Sequence, residues 1–311
     1  MKNATFRQLR MFNAVAKHLS FAKAAEILHV SAPAITMQIK ELEAEVGMPL
    51  FERQGRKVSL TTSGEYMLVY TRKMLALLKD AEDAAARLQR IETGKLTIGM
   101  VDTTTYFIPA LLSEFLKQHE GIELVLNVGN RRDLIQWLSN SEVDIAIMGR
   151  PPSEMSTRSE PFAANPLVFV ASPKHPLASE KGLRAEDLRQ QSFIVREQGS
   201  GTRTSMEAFF TQARFQPRFT MELQSNDAIK QAVKANLGLS FLSQHTIALE
   251  IQAQQLCILD VHQTPMVRAW NVVHMMSKML SPAAEAFRYF ILEHAETYLA
   301  DQFGELRNPR N

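Results

Sequence analysis

The chain has 311 residues, of which 45% are hydrophobic and 22% charged, with a net charge of +2. That length exceeds one typical core and predicts two or three domains. Its apolar runs fall far short of the roughly 18 residues a helical membrane span needs. The opening "MKNATFRQLRMFNAV" lacks an export-signal pattern. The single cysteine, Cys257, excludes an internal disulfide framework, so a cytoplasmic protein is expected.

The charge is unevenly spread. Residues 1–60 hold nine Lys/Arg against five Glu, a balance of +4 that leaves −2 for the remainder. A basic module on a mildly acidic body points to a polyanion bound at one end, although charge alone equally suits a solvated face. Thr5 and Gln8 have capping-box spacing, predicting a helix with Phe6, Leu9, Phe12, Ala16 and Leu19 on one stripe. Ser20 caps a second, short helix, and Ser31, followed by Pro33, starts a third that carries Ile35, Ile39, Leu42 and Val46 on its inner face. Two short helices, a tight turn and a third helix make a helix-turn-helix. Ser31, Ala32, Pro33, Thr36, Met37 and Lys40 are the candidate groove-facing residues, and Arg53, Arg56 and Lys57 form a basic wing for the DNA backbone. A plain trihelical packing module is the alternative.

Residues 6–65, with "SFAKAAE", "QIKELE" and "PLFER" in order, resemble the winged helix-turn-helix of LysR-type transcriptional regulators. One departure is Ala32, where many members carry a base-contacting glutamine. The resemblance implies double-stranded DNA as a partner, self-association as a homodimer or homotetramer, and RNA polymerase as a further partner.

Thr62 and Glu65 repeat the capping-box spacing, and no breaker follows until Gly94. Met67, Tyr70, Met74, Leu77, Ala81, Ala84, Leu88 and Ile91 step by three and four, a heptad seam that predicts a coiled-coil dimer. The alternative is an amphipathic helix packed on its own domain. In LysR-type proteins this helix is a dimerisation linker.

Beyond Gly94, "KLTIGMV", "IELVLNVG" and "VDIAIMG" alternate with helical patterns at 109–119 and 131–141, which is βαβ order. A second set runs through "PLVFVAS", "SFIVRE", "FTMELQS", "GLSFLS" and "LCILDV", with helices near 202–213 and 226–236. "AWNVVHMM" and residues 281–299 read as a late strand and a closing helix. The expected fold is α/β with an all-α N-terminal winged helix-turn-helix, a long linker helix and a two-lobed effector domain like periplasmic binding proteins. Expected boundaries are 1–61 for the DNA-binding domain, 62–93 for the linker, 94–165 plus 269–300 for lobe 1, 166–268 for lobe 2 and 301–311 for a frayed tail.

Ligands in open α/β sheets gather at the carboxyl ends of strands. The loops there offer Thr103, Thr104, Arg150, Ser200, Gly201, Thr202, Arg203 and Asn226, a set suited to a small anion, phosphorylated compounds included. Taken singly, Ser200, Thr202 and Asn226 are equally plain N-caps. "VGNRRDL", "IAIMGRPP" and "GSGTR" resemble the CbbR-type regulators of Calvin-cycle operons. That implies a carbon-fixation role and an anionic effector such as ribulose bisphosphate, phosphoenolpyruvate or NADPH, with no bound cofactor; a regulator of a different metabolic operon stays open.

No enzyme motif assembles. "GSGTR" lacks the Gly-Lys-Ser/Thr ending of a phosphate loop, and HExxH, GxSxG and clustered Cys/His are missing from the sequence. No catalytic or metal site is expected. A two-lobed solute-binding protein or a dimeric scaffold without DNA function remains the alternative of a different class.

Overall fold

Local capping signals set the N-terminal elements of the computed structural model, which describes residues 4–54, 57–88 and 94–304. Helix α1 (Phe6–His18) starts with the full Thr5/Gln8 capping box, α2 (Phe21–Ile27) is capped by Ser20, and α3 (Ala32–Val46) by Ser31. Phe12, Val15, Ala24, Ile35, Ile39 and Leu42 form the core between them. Strands β1 (Phe51–Gln54) and β2 (Lys57–Leu60) pair antiparallel as the wing. Arg56 lies outside the described residues, as do the side chains of Arg53 and Lys57.

Helix α4 runs Thr62–Leu88. Its cap is Thr61, not Thr62: the Thr61 hydroxyl accepts from the Gly64 N–H at 3.0 Å and donates to the Pro49 carbonyl at 2.7 Å. The heptad seam also needs correction. Met67 is buried in the N-terminal core and Met74 packs against it, because α4 uses that face to close the trihelical unit. Tyr70, Leu77 and Ala81 stay exposed, joined by Tyr66 and Val69, so the free apolar stripe is rotated from the predicted one. Ile91 and the side chains of Ala84 and Leu88 lie outside the described residues.

The second unit is built on a seven-stranded sheet. Strand β3 (Gly94–Val101) lies between β4 (Ile122–Gly129) and β5 (Ile145–Met148), all parallel. Helices α5 (Ile108–Gln118) and α6 (Arg131–Ser139) link them. Central β3 is buried over five consecutive residues, as parallel strands covered on both faces are. Strand β6 (Thr157–Ala171) then crosses into the second lobe, where β7 (Ser192–Arg196), α7 (Gly201–Gln212), β8 (Arg218–Leu223), α8 (Asn226–Lys234), β9 (Ser240–Ser243), α9 (Ala248–Gln252) and β10 (Cys257–Ile258) follow. Strand β11 (Met266–Met275) returns along β6, and α10 (Pro282–Phe303) closes lobe 1 against α5.

Three expectations are revised. Strand β6 begins at 157 and passes without a break through the expected lobe boundary at 165/166, and β11 begins at 266, not 269. The prolines hid the first half of β6. Pro161 sits where the register against β11 shifts at Trp270/Asn271, and Pro166 where β9 has not yet joined the other edge. Bulges and free edges are where strands tolerate proline. Helix α10 continues to Phe303, beyond the expected tail boundary; Phe303 packs on His245.

Candidate functional site

Two surfaces follow from these elements. On α3, Ala32, Pro33, Thr36, Met37, Lys40 and Glu41 line one shallow hollow on the side away from the buried Ile35/Ile39/Leu42 face. Ser31 lies at its start as the N-cap. The groove-facing set expected from the sequence is therefore brought together.

The second surface is the cleft between the lobes. Its floor is the β6/β11 crossover, where Asn165 and Arg268 are register partners and Trp270 lies two residues further along β11. Lobe 1 adds Thr103, Asn130, Arg131, Gly149 and Arg150; lobe 2 adds Arg196, Ser200, Gly201, Thr202 and Ser205. The cleft is small, with about 40 Å³ of space for the centres of water-sized molecules. A Cβ at Gly149 would lie 3.2 Å from Asn165 Nδ2, so this loop approaches the floor closely.

Four arginines line the cleft and none of its lining residues carries a carboxylate. Two of the four are already paired. Arg196 is clamped bidentately by Glu197 at 2.8 and 3.1 Å, and Arg131 bonds the Arg150 carbonyl at 3.0 Å and Glu154 at 3.3 Å. Among the described residues, the side chains of Arg150 and Arg268 have neither a hydrogen bond nor an ion pair. Burial, with the neighbouring Arg150 adding like-charge repulsion, pushes the Arg268 guanidinium below its ordinary value. Two neighbouring unneutralised guanidiniums, Arg268 partly buried and Arg150 exposed, suit an anion. Helix α7 adds its N-terminus: Ser200 occupies the N-cap position with no side-chain cap bond, leaving the first-turn N–H groups available.

Thr103, Arg150, Ser200, Gly201 and Thr202 thus line the cleft as expected, and the plain N-cap reading of Ser200 is not realised. Three expected ligands are not in the lining. Thr104 is fully buried and its hydroxyl is spent on the Val101 carbonyl. Arg203 turns away, to Glu207, the Arg196 carbonyl and Glu222. Asn226 bonds Asp102 and Arg196, and the cap of α8 is Ser225. Missed were Asn130, Arg131, Arg196, Arg268 and Trp270. Arg196 ends β7 one residue before the 197–203 loop, whereas Asn130 and Arg131 follow β4, a strand end outside the loops named. Arg268 was detectable only from sharing a face with Trp270 on an alternating strand.

A helix-turn-helix with a β-wing, and a two-lobed domain with a ligand cleft, define the class of ligand-responsive DNA-binding proteins. Residues 6–65 match the family model of the bacterial regulatory helix-turn-helix protein, lysR family, and residues 89–296 match the LysR substrate binding domain. The chain is 45% identical to the HTH-type transcriptional regulator CfxR of Cupriavidus necator, over 98% of this chain and 96% of that one. It is 44% identical to a RuBisCO operon transcriptional regulator of Allochromatium vinosum, over 94% and 97% respectively. The solved regulatory domain of Synechocystis PCC6803 CcmR, in complex with 2-PG, superposes with a TM-score of 0.62 at 38% identity, covering 64% of this chain and 96% of that one. The chain belongs to the LysR family of transcriptional regulators, a family of regulators and not of enzymes.

Proposed function

We propose that this regulator binds duplex DNA as a homodimer or a homotetramer and controls carbon-fixation genes in response to a small phosphorylated metabolite held between the lobes. The observation that carries the reading is the pair Arg150 and Arg268, unneutralised in a cleft lined by four arginines and no carboxylate. The names of the most similar relatives support the carbon-fixation role, and the 2-PG complex of CcmR supports a small phosphorylated effector. The candidate metabolites are 2-phosphoglycolate, phosphoenolpyruvate, ribulose bisphosphate and NADPH. The exposed Tyr66/Val69/Tyr70/Leu77 stripe of α4 is the proposed pairing surface. RNA polymerase is the proposed downstream partner. The cytoplasm is the proposed compartment; among the described residues no helix is long and apolar enough to cross a membrane.

Titration calorimetry of the full chain with each of the four metabolites tests the effector half. Saturable binding of a phosphorylated metabolite that drops tenfold or more in both Arg150→Ala and Arg268→Ala is expected. Binding unchanged in both variants, or no binding of any of the four, removes the assignment.

A further inference from the structure

Three polar side chains at the start and along α3, Ser31, Thr36 and Gln38, each make a hydrogen bond within the protein. The Thr36 hydroxyl donates to the Ala32 carbonyl at 3.0 Å. The Gln38 amide donates to Glu41 Oε2 at 2.7 Å, and the same oxygen accepts from Gln8 Nε2 at 3.2 Å. The Ser31 oxygen accepts from the Ala34 N–H at 3.3 Å, as the helix cap. Bidentate readout of adenine needs an amide, and that of guanine an arginine or lysine; of these only Lys40 lines the hollow on α3.

What the helix leaves open is apolar. Ala32 and Pro33 stand one turn before Thr36 and Met37, so the 32/36 and 33/37 pairs lie side by side along the hollow. Met37 is 55% exposed, and a large flexible thioether so exposed on a soluble helix has no partner in its own unit. Lys40 brings one charge, which a phosphate neutralises. In the major groove the one apolar base feature is the 5-methyl group of thymine, which cytosine lacks.

Taking the DNA-binding reading above as its basis, we infer that α3 recognises its operator chiefly through contact of Ala32, Pro33 and Met37 with thymine 5-methyl groups. Side-chain hydrogen bonds to base edges contribute little. Burying one methyl against such a surface changes affinity about fourfold, so a site with several thymines under two helices is discriminated by well over tenfold.

The test compares two versions of the protein's upstream intergenic DNA, one made with dTTP and one with dUTP, which differ only in the 5-methyl groups. Wild type should bind the uracil fragment at least tenfold more weakly. Because methyl removal also alters duplex stiffness, the same pair is measured with Met37→Ala, which removes an exposed side chain and spares the core. The penalty should shrink at least threefold in that variant. Equal binding of both fragments by wild type, or an undiminished penalty in Met37→Ala, overturns the inference. Failure to bind even the thymine fragment overturns the regulator reading itself, and the two failures are thereby told apart.

Discussion

Trp270 Nε1 donates to His245 Nδ1 across 3.2 Å, joining the floor of the cleft to the buried turn after β9. His245 is edge-on to Phe107 and Phe303, and burial lowers its pKa to about 4. The bond fixes the tautomer, because an Nδ1 that accepts from the indole cannot carry a proton.

A pH dependence follows. The folded pKa lies below the unfolded value near 6.5, so the unfolded state binds the proton more tightly. Stability is full above about pH 6.5 and falls as pH drops toward about 4, by up to ~1.4 kcal/mol per pH unit from this group. His175 and His274, also lowered chiefly by burial, act in the same direction. In His245→Gln the slope of urea stability between pH 6.5 and 4 should shrink without vanishing; an unchanged slope contradicts the assignment.

Arg268 gives a prediction of opposite signs. Arg268 is desolvated and repelled by Arg150, so Arg268→Gln should leave the melting temperature of the ligand-free protein unchanged or raise it. The same variant should abolish the melting-temperature rise that a bound phosphorylated metabolite produces. A destabilised apo protein would mean that Arg268 has a structural anion partner of its own.

The lobes are tied where Asp102 meets α8. Its Oδ2 accepts from the Asn226 backbone N–H at 3.2 Å and from Asn226 Nδ2 at 2.7 Å, while Asn226 Oδ1 takes Arg196. Asn226→Ala strips three side-chain bonds, to Asp102, to Arg196 and, at 3.4 Å, to Thr103 Oγ1, two of them with charged partners. Stability to urea should fall by about 2–4 kcal/mol, and a loss below about 0.5 kcal/mol would show the contact to be idle.

Much of this was legible in the sequence where the physics is local. Thr5, Ser20 and Ser31 each cap the helix expected of them, because a cap is decided within three residues. The heptad failed for a non-local reason: spacing shows that Met67 and Met74 share a face, but not that α1–α3 claim it. The cleft was half legible. The strand-end rule found Thr103, Arg150 and Thr202, yet it is blind to which way a side chain turns, and Arg203 turned inward to Glu207 and Glu222. Arg268 entered the site through a crossover strand that only the pairing of β6 with β11 brings there.

Inside lobe 1, Lys278 Nζ sits 2.8 Å from Asp144 Oδ1, and Asp144 Oδ2 accepts the Thr97 N–H at 2.9 Å. Both side chains are buried. Lys278→Met leaves a buried carboxylate without its cation and should cost about 3–5 kcal/mol in urea unfolding. A double variant, Lys278→Met with Asp144→Asn, should recover part of that loss; no recovery would mean the two charges are not coupled.

The most direct test of the whole account is fluorescence anisotropy of the full chain on its own upstream intergenic DNA, with and without 2-phosphoglycolate, phosphoenolpyruvate and ribulose bisphosphate. The account predicts tight, salt-sensitive binding that one phosphorylated metabolite shifts in wild type and leaves unshifted in Arg268→Gln. DNA binding that responds to none of the three, or that responds equally in the variant, would contradict it.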